Sequence, residues 1–193
     1  MTDLAERRGM ETEVYGAAED SRLLAAAAVD EIREGERVLE VGTGSGYVAA
    51  RVAEETGATV YASDLNPHAC ERTREAGLPA VRADLTLPFR DGSFDRVLFN
   101  PPYLPRDVAA ERDDWMEVAL TGGETGREVI EAFFDDVARV LAPGGSVLLL
   151  VSTLTDIEKV AAAADERELA ARTLREETYP FERLAILKIT PKH

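Results

Sequence analysis

Cysteine, lysine, histidine and tryptophan are almost missing from this chain of 193 residues, which holds one Cys, three Lys, two His and one Trp. The lone Cys70 excludes an internal disulfide and a cysteine-rich zinc site, and it suits a reducing compartment such as the cytoplasm. His68 and His193 lie far apart in sequence and lack metal-ligand spacing, so no metal is expected. No apolar run approaches the roughly 20 residues that a membrane span needs. The opening MTDLAERRGM has no apolar stretch, so no secretory signal is expected either. Internal repeats, low-complexity tracts and Gly/Ser linkers are absent, which predicts one domain over residues 1–193. At 45% hydrophobic residues, that length can bury a full core.

Positive charge is scarce as well. Acids number 37 against 22 basic residues, a formal net charge of −15, and every basic residue except Lys159, Lys188 and Lys192 is an arginine. The acids are spread along the whole chain. They read as a self-repelling, soluble surface of the kind found in proteins adapted to high salt, more than as one groove for a basic partner. A halophilic source is the expectation. No basic cluster is available to neutralise phosphates, which argues against a nucleic-acid partner.

What is present alternates between short apolar runs and helical patterns, the signature of an α/β fold with a mainly parallel sheet. Helices are predicted over 21–32, capped by Asp20 or Ser21, over 45–57, stopped by Gly57, and from Pro67 to about Ala76. Two more are predicted over 128–141, ending at APGG, and over 155–167. Strands are predicted at 37–41, 59–64, 79–84, 94–100 and 146–152. The last stretch, ELAARTLREETYPFERLAILKIT, reads as two closing strands that turn near Tyr179 and Pro180. A terminal hairpin on parallel strands places one antiparallel strand in a doubly wound sheet.

The first strand runs directly into EVGTGSG, which contains Glu40, Gly42, Gly44 and Gly46. Glycines there let the backbone turn tightly and approach a ligand while the next helix presents its N-terminus. Asp64 ends the second strand, where an acid can accept both hydrogen bonds of a ribose diol. A dinucleotide fingerprint needs its third glycine three places after the second. Tyr47 stands there instead, and the pattern is E-x-G-x-G-x-G.

That pattern resembles motif I of class I methyltransferases, which bind S-adenosyl-L-methionine. The resemblance implies that the backbone of Gly42, Thr43, Gly44 and Gly46 passes the methionine half and ribose, and that Glu40 also belongs to the cofactor-binding residues. It further implies that Asp64 holds the ribose hydroxyls, that Leu65 packs on the adenine, and that Asp84 with the adjoining Leu85 meets the adenine amino group. The plainer reading of Asp84 is a turn cap.

The fourth strand delivers Asn100 into Pro101, Pro102 and Tyr103. This NPPY matches motif IV of methyltransferases that act on planar nitrogens. An amide nitrogen is a poor nucleophile because its lone pair is delocalised. Catalysis therefore has to orient the N–H groups so that the lone pair faces the methyl donor in line. The Asn100 side-chain oxygen can accept one N–H and the Pro101 carbonyl the other. The prolines fix the turn and remove competing donors, and Tyr103 offers a stacking face. On its own, NPPY is equally an ordinary turn.

VYGAAEDSRLL, VLEVGTGSGYVA, FNPPYLP and GGETGREVIEAFF occur in the order and spacing of the HemK-type protein-glutamine methyltransferases. The likeness covers nearly the whole chain and is greatest to the compact archaeal and eukaryotic branch. It implies a Rossmann-like class I methyltransferase fold, with a seven-stranded, mostly parallel sheet and helices on both faces. The implied reaction is methylation of the side-chain amide of the glutamine in the Gly-Gly-Gln loop of a class 1 translation termination factor. Some relatives act on lysine. Tyr15, Glu19, Asp20 and Ser21 would cover the cofactor, although YGAAED departs from the usual YEPAED. The branch also implies a heterodimer with a small zinc-binding activator, through the edge strand near residues 78–84.

An adenine N6 or guanine N2 methyltransferase and a cofactor-binding scaffold without turnover are the competing classes. Against the first stands the missing basic face, and against the second the intact NPPY. Trp115 is either a substrate lid or packing, and Gly122, Gly123 and Gly126 either hinge their loop or cap the next helix.

Overall fold

The computed structural model describes residues 19–103, 123–180 and 182–192; Tyr15, Trp115, Gly122 and His193 lie outside the described residues. Seven strands form one sheet: β1 Arg37–Val41, β2 Thr59–Asp64, β3 Ala80–Arg82, β4 Phe94–Phe99, β5 Leu141–Ser152, β6 Leu169–Thr178 and β7 Arg183–Pro191. Their order is β3-β2-β1-β4-β5-β7-β6. The first five are parallel, and β7 runs antiparallel to both β5 and β6. The expected single reversed strand is therefore β7.

Successive strand residues point to opposite faces, and both faces are buried. Val38, Leu98, Leu148 and Leu150 pack beneath the helices α1 (Glu19–Glu31), α2 (Tyr47–Thr56) and α3 (Pro67–Glu75). Leu39, Phe99, Val147 and Leu149 pack beneath α4 (Glu128–Val140) and α5 (Ile157–Asp165). Among the described residues no helix is long and apolar enough to cross a membrane.

Several boundaries differ from expectation. Helix α1 starts at Glu19, so Asp20 and Ser21 lie inside its first turn and are not its cap. Helix α2 begins only after Gly46, whose left-handed backbone is its N-cap, and ends at Gly57 as expected. Strand β3 has three residues, because its pairing with β2 stops at Asp64 opposite Arg82; Asp84 therefore sits two residues beyond the strand. Helix α4 passes directly into β5 at Leu141, since Leu141 pairs with Phe94 before a register shift leads to the Arg96–Ser146 pair. Helix α5 is shorter than predicted and follows a 3₁₀ turn, Thr153–Thr155.

Chain order reverses between β1 and its neighbours β2 and β4. In open α/β sheets a crevice opens at such a point, beyond the carboxyl ends of the strands.

Candidate active site at the carboxyl ends of β1, β2 and β4

Val41 of β1 pairs with Phe99 of β4, so the residues that follow them leave the sheet side by side. Gly42 has φ +67, and a side chain built on it would lie 3.6 Å from the Phe99 ring and 4.0 Å from the Asn100 carbonyl oxygen. The glycine turn and the NPPY segment thus share one wall.

Beneath the turn, Glu40 is 3% exposed. Its Oε2 accepts from Thr43 Oγ1 at 2.6 Å and from the Ala49 N–H at 3.0 Å, tying the turn to α2. Burial pushes the Glu40 carboxyl up to about 8 despite those two bonds. Gly46 fits closely as well, because a Cβ there would sit 2.9 Å from Thr73 Oγ1 on α3.

Asp64 ends β2 and reaches across to the turn. Its Oδ2 accepts from the Gly44 N–H and its Oδ1 from the Asn66 N–H, both at 2.8 Å. Burial pushes this carboxyl up as well, and the backbone donors Asn66, Gly44 and Leu65 pull it back. Leu65, the next residue, is exposed on the rim. The Ala83 N–H bonds the Asp64 carbonyl at 3.0 Å, which brings Asp84 to the same edge in an exposed turn. Leu85 follows with φ 47, a conformation that costs a non-glycine residue about 1–3 kcal/mol.

Asn100 is the first residue past β4. Its Nδ2 lies 3.5 Å from Ser21 Oγ, the acceptor end of that contact. Its Oδ1 is buried and has no hydrogen-bond partner among the described residues. A buried amide oxygen without a donor is rare and points toward a ligand position. Tyr103 is buried, and its hydroxyl donates to Asp20 Oδ2 at 3.3 Å. Asp20 and Ser21 thus touch the NPPY segment directly, a placement that a cover over the cofactor alone does not require.

A family profile described as a methyltransferase domain matches residues 39–101. A Methanocaldococcus jannaschii protein carrying the name of a protein N5-glutamine methyltransferase is 33% identical, over 91% of this chain and 90% of its own length. The chain belongs to the HemK-type class I methyltransferases. Methyltransferase HEMK2 of Homo sapiens is 34% identical over 95% of this chain and 92% of its own. Among solved structures, the Mtq2–Trm112 complex of E. cuniculi, responsible for methylation of the eRF1 translation termination factor, superposes with a TM-score of 0.78. The identity there is 32%, covering 94% of this chain and 100% of the other. As a HemK-type methyltransferase the protein is an S-adenosylmethionine-dependent enzyme.

The residues fit that cofactor. Asp64 meets the backbone donors of Gly44, Asn66 and Leu65, and a carboxylate offers about four lone-pair sites, so acceptor capacity remains for a ribose hydroxyl. Leu65 and the turn at Asp84 and Leu85 lie at the same edge of the sheet, joined by the Ala83 N–H to Asp64 carbonyl bond.

One brace near this edge of the sheet has no linear signal. Arg139 on α4 pairs with Asp136 through Nε and Nη2, both at 2.8 Å. It also reaches the carbonyls of Thr86 and Phe89 and the Asp91 carboxylate. That single side chain holds the turn that follows Asp84, with partners 48 to 53 residues away. Thr86 is fully buried and donates to Asp136 at 2.7 Å, completing the brace.

Proposed function

We propose that this chain, as a single domain over residues 1–193, methylates the side-chain amide nitrogen of the glutamine in the Gly-Gly-Gln motif of a class 1 translation termination factor. The observation that carries this reading is Asn100, whose Oδ1 is buried without a partner among the described residues and whose backbone carbonyl lies 4.0 Å from a side chain built on Gly42. Relatives at 32–34% identity over nearly the whole chain support the acceptor class.

When bound, S-adenosylmethionine supplies an electrophilic methyl group on a positive sulfur, which keeps the electron pair of the bond to that methyl. Asp64 holds the ribose hydroxyls, the Gly42–Gly46 turn passes the methionine half, and Leu65, Asp84 and Leu85 frame the base. Asn100 Oδ1 accepts one N–H of the substrate amide and the Pro101 carbonyl the other. This turns the nitrogen lone pair toward the methyl carbon. While Asn100 and Pro101 hold it, the acceptor amide gives up one proton to solvent. Pro102 keeps the turn rigid and Tyr103 backs it. Positioning and dipoles lower the barrier, and no strong base is needed.

A small zinc-binding activator is the proposed partner, docking on the β3 edge. That edge is three residues long, and Val81 on it is 46% exposed, with Leu87 nearby in sequence at 64%. The opposite edge, β6, carries a bulge and charged Arg172, Arg175, Glu176 and Glu177, which discourage strand addition. The acidic surface fits a cytoplasmic protein of an archaeal, salt-loving cell.

The deciding experiment uses labelled cofactor and a termination factor, wild type or with the loop glutamine changed to alanine. Label should enter the wild-type factor only. Label on the alanine variant overturns the acceptor.

A further inference from the structure

The NPPY segment is held on two sides. On one, Asp20 takes the Tyr103 hydroxyl. On the other lies the turn that leads into α4, and its contact is with main chain. Gly126 is buried, with φ +78, and a Cβ built there would lie 2.7 Å from the Tyr103 carbonyl oxygen and 3.4 Å from the Tyr103 carbonyl carbon and the Thr155 methyl. Real Cβ atoms do not approach a carbonyl oxygen so closely, so any side chain at this position forces one of the two segments to move.

Which one moves is decided by how each is braced. The Gly126 turn is fixed from both ends. Glu128 accepts from the Thr125 N–H at 3.0 Å and from the Thr125 hydroxyl at 3.1 Å. Arg127 Nη1 donates to the Thr155 carbonyl at 3.1 Å, and Thr155 Oγ1 donates in turn to the Ser152 carbonyl at 2.8 Å. Asn100, by contrast, has one long contact to Ser21, and its Oδ1 has no partner among the described residues. At its Asn100 end the NPPY segment is thus less tied than the Gly126 turn.

We infer that Gly126 is a positioning residue for methyl transfer: by lacking a side chain it lets the braced turn close on the Tyr103 carbonyl, and this contact sets the height of Asn100 Oδ1 and the Pro101 carbonyl over the acceptor nitrogen. The inference rests on the acceptor reading above. It goes further by assigning the pocket's geometry to a residue 26 places from Asn100 on another segment. Displacing reacting groups by about 1 Å costs on the order of 100-fold in rate.

The test compares Gly126→Ala with Gly57→Ala. Gly57 has a similar φ of +72 at the end of α2, and the atoms nearest a side chain built there belong to Glu34, so it carries the same backbone strain away from the NPPY segment. Gly126→Ala should lower kcat about 10- to 100-fold, while the dissociation constant for S-adenosylhomocysteine, by calorimetry, stays within about twofold. Gly57→Ala should lower Tm and leave kcat unchanged. The Asn100 side-chain NH2 and Tyr103 amide resonances should shift in Gly126→Ala, with those of the residue 42–46 turn still. Arg127→Ala, a milder change that loosens the same brace, should lower kcat several-fold in the same pattern. Equal kcat losses in the two glycine variants, a cofactor affinity that falls in step with kcat, or unmoved Asn100 and Tyr103 resonances would each overturn the inference. The resonances decide it even if wild type labels some other acceptor, an outcome that would instead sink the proposed function.

Discussion

Asn100 points its amide nitrogen at Ser21 Oγ, 3.5 Å away and 79 residues earlier in the chain. That contact fixes which end of the amide faces inward: the oxygen is left over, buried and without a protein donor among the described residues. Asn100→Ala removes the acceptor, and kcat should fall about 100- to 1000-fold while cofactor affinity by calorimetry is retained. Ser21→Ala should cost about tenfold and Ser21→Thr, which keeps the hydroxyl, much less. Unchanged turnover in Asn100→Ala would remove it from the mechanism. A rise in the cofactor dissociation constant in Ser21→Ala matching its loss of rate would instead return Ser21 to a cover over the cofactor.

Asp64 bonds both Gly44 and Asn66 through backbone N–H groups. Asp64→Ala should weaken cofactor binding at least about tenfold, because it removes the ribose acceptor and unties the glycine turn together. Titration calorimetry with S-adenosylhomocysteine checks it. An unaltered affinity would move the ribose elsewhere.

Glu40 makes the fold pH-sensitive in a defined direction. Its carboxyl rises from an ordinary 4.5 to about 8 on burial, so the native state holds a proton that the unfolded chain releases. The stability it contributes is complete below 4.5 and is lost as pH climbs through about 8. Asp64, also raised by burial, adds in the same sense. Cofactor-free wild type should therefore lose up to about 1.4 kcal/mol per pH unit from this one proton across that window. Glu40→Gln should flatten the slope. Urea unfolding at pH 5, 6.5 and 8 reads it directly, and parallel slopes for the two proteins would refute it.

Val81→Asp places a charge on the β3 edge without touching the pocket. Co-purification with a small activator should fall, while the isolated chain keeps its Tm within a few degrees. Equal recovery of the partner would move its docking surface away from this edge.

Much of this was legible in the linear sequence. The order of strands and helices followed from alternating apolar runs, because both faces of the sheet are buried and leave near-continuous hydrophobic stretches such as Val147 to Val151. The E-x-G-x-G-x-G motif was also readable, and the two side-chain bonds that tie Glu40 to the glycine turn and α2 stay within nine residues. Contacts made across the sheet were not. Asp20 looked like a helix cap, yet it lies inside α1 and meets Tyr103, 83 residues on. Tyr103 looked like an open platform and is 4% exposed. Arg139 gave no hint at all, because arginine on a helix is ordinary until three carbonyl and carboxylate partners from one distant turn converge on it. Gly126 had a signal in its glycine-rich setting, but hinge and cap were the only roles that sequence could suggest.

The donor half of the pocket is tied together by Glu40, the glycine turn and Asp64, with the Asp84 turn at its edge, whereas the acceptor half is stitched to α1 through Ser21 and Asp20. Cutting the ties of Asp20 and Ser21 to that segment, with the helix itself kept, would therefore leave a chain still able to grip nucleoside while unable to aim it. Methyl transfer reports on whether the whole molecule is assembled, and cofactor affinity reports on only part of it.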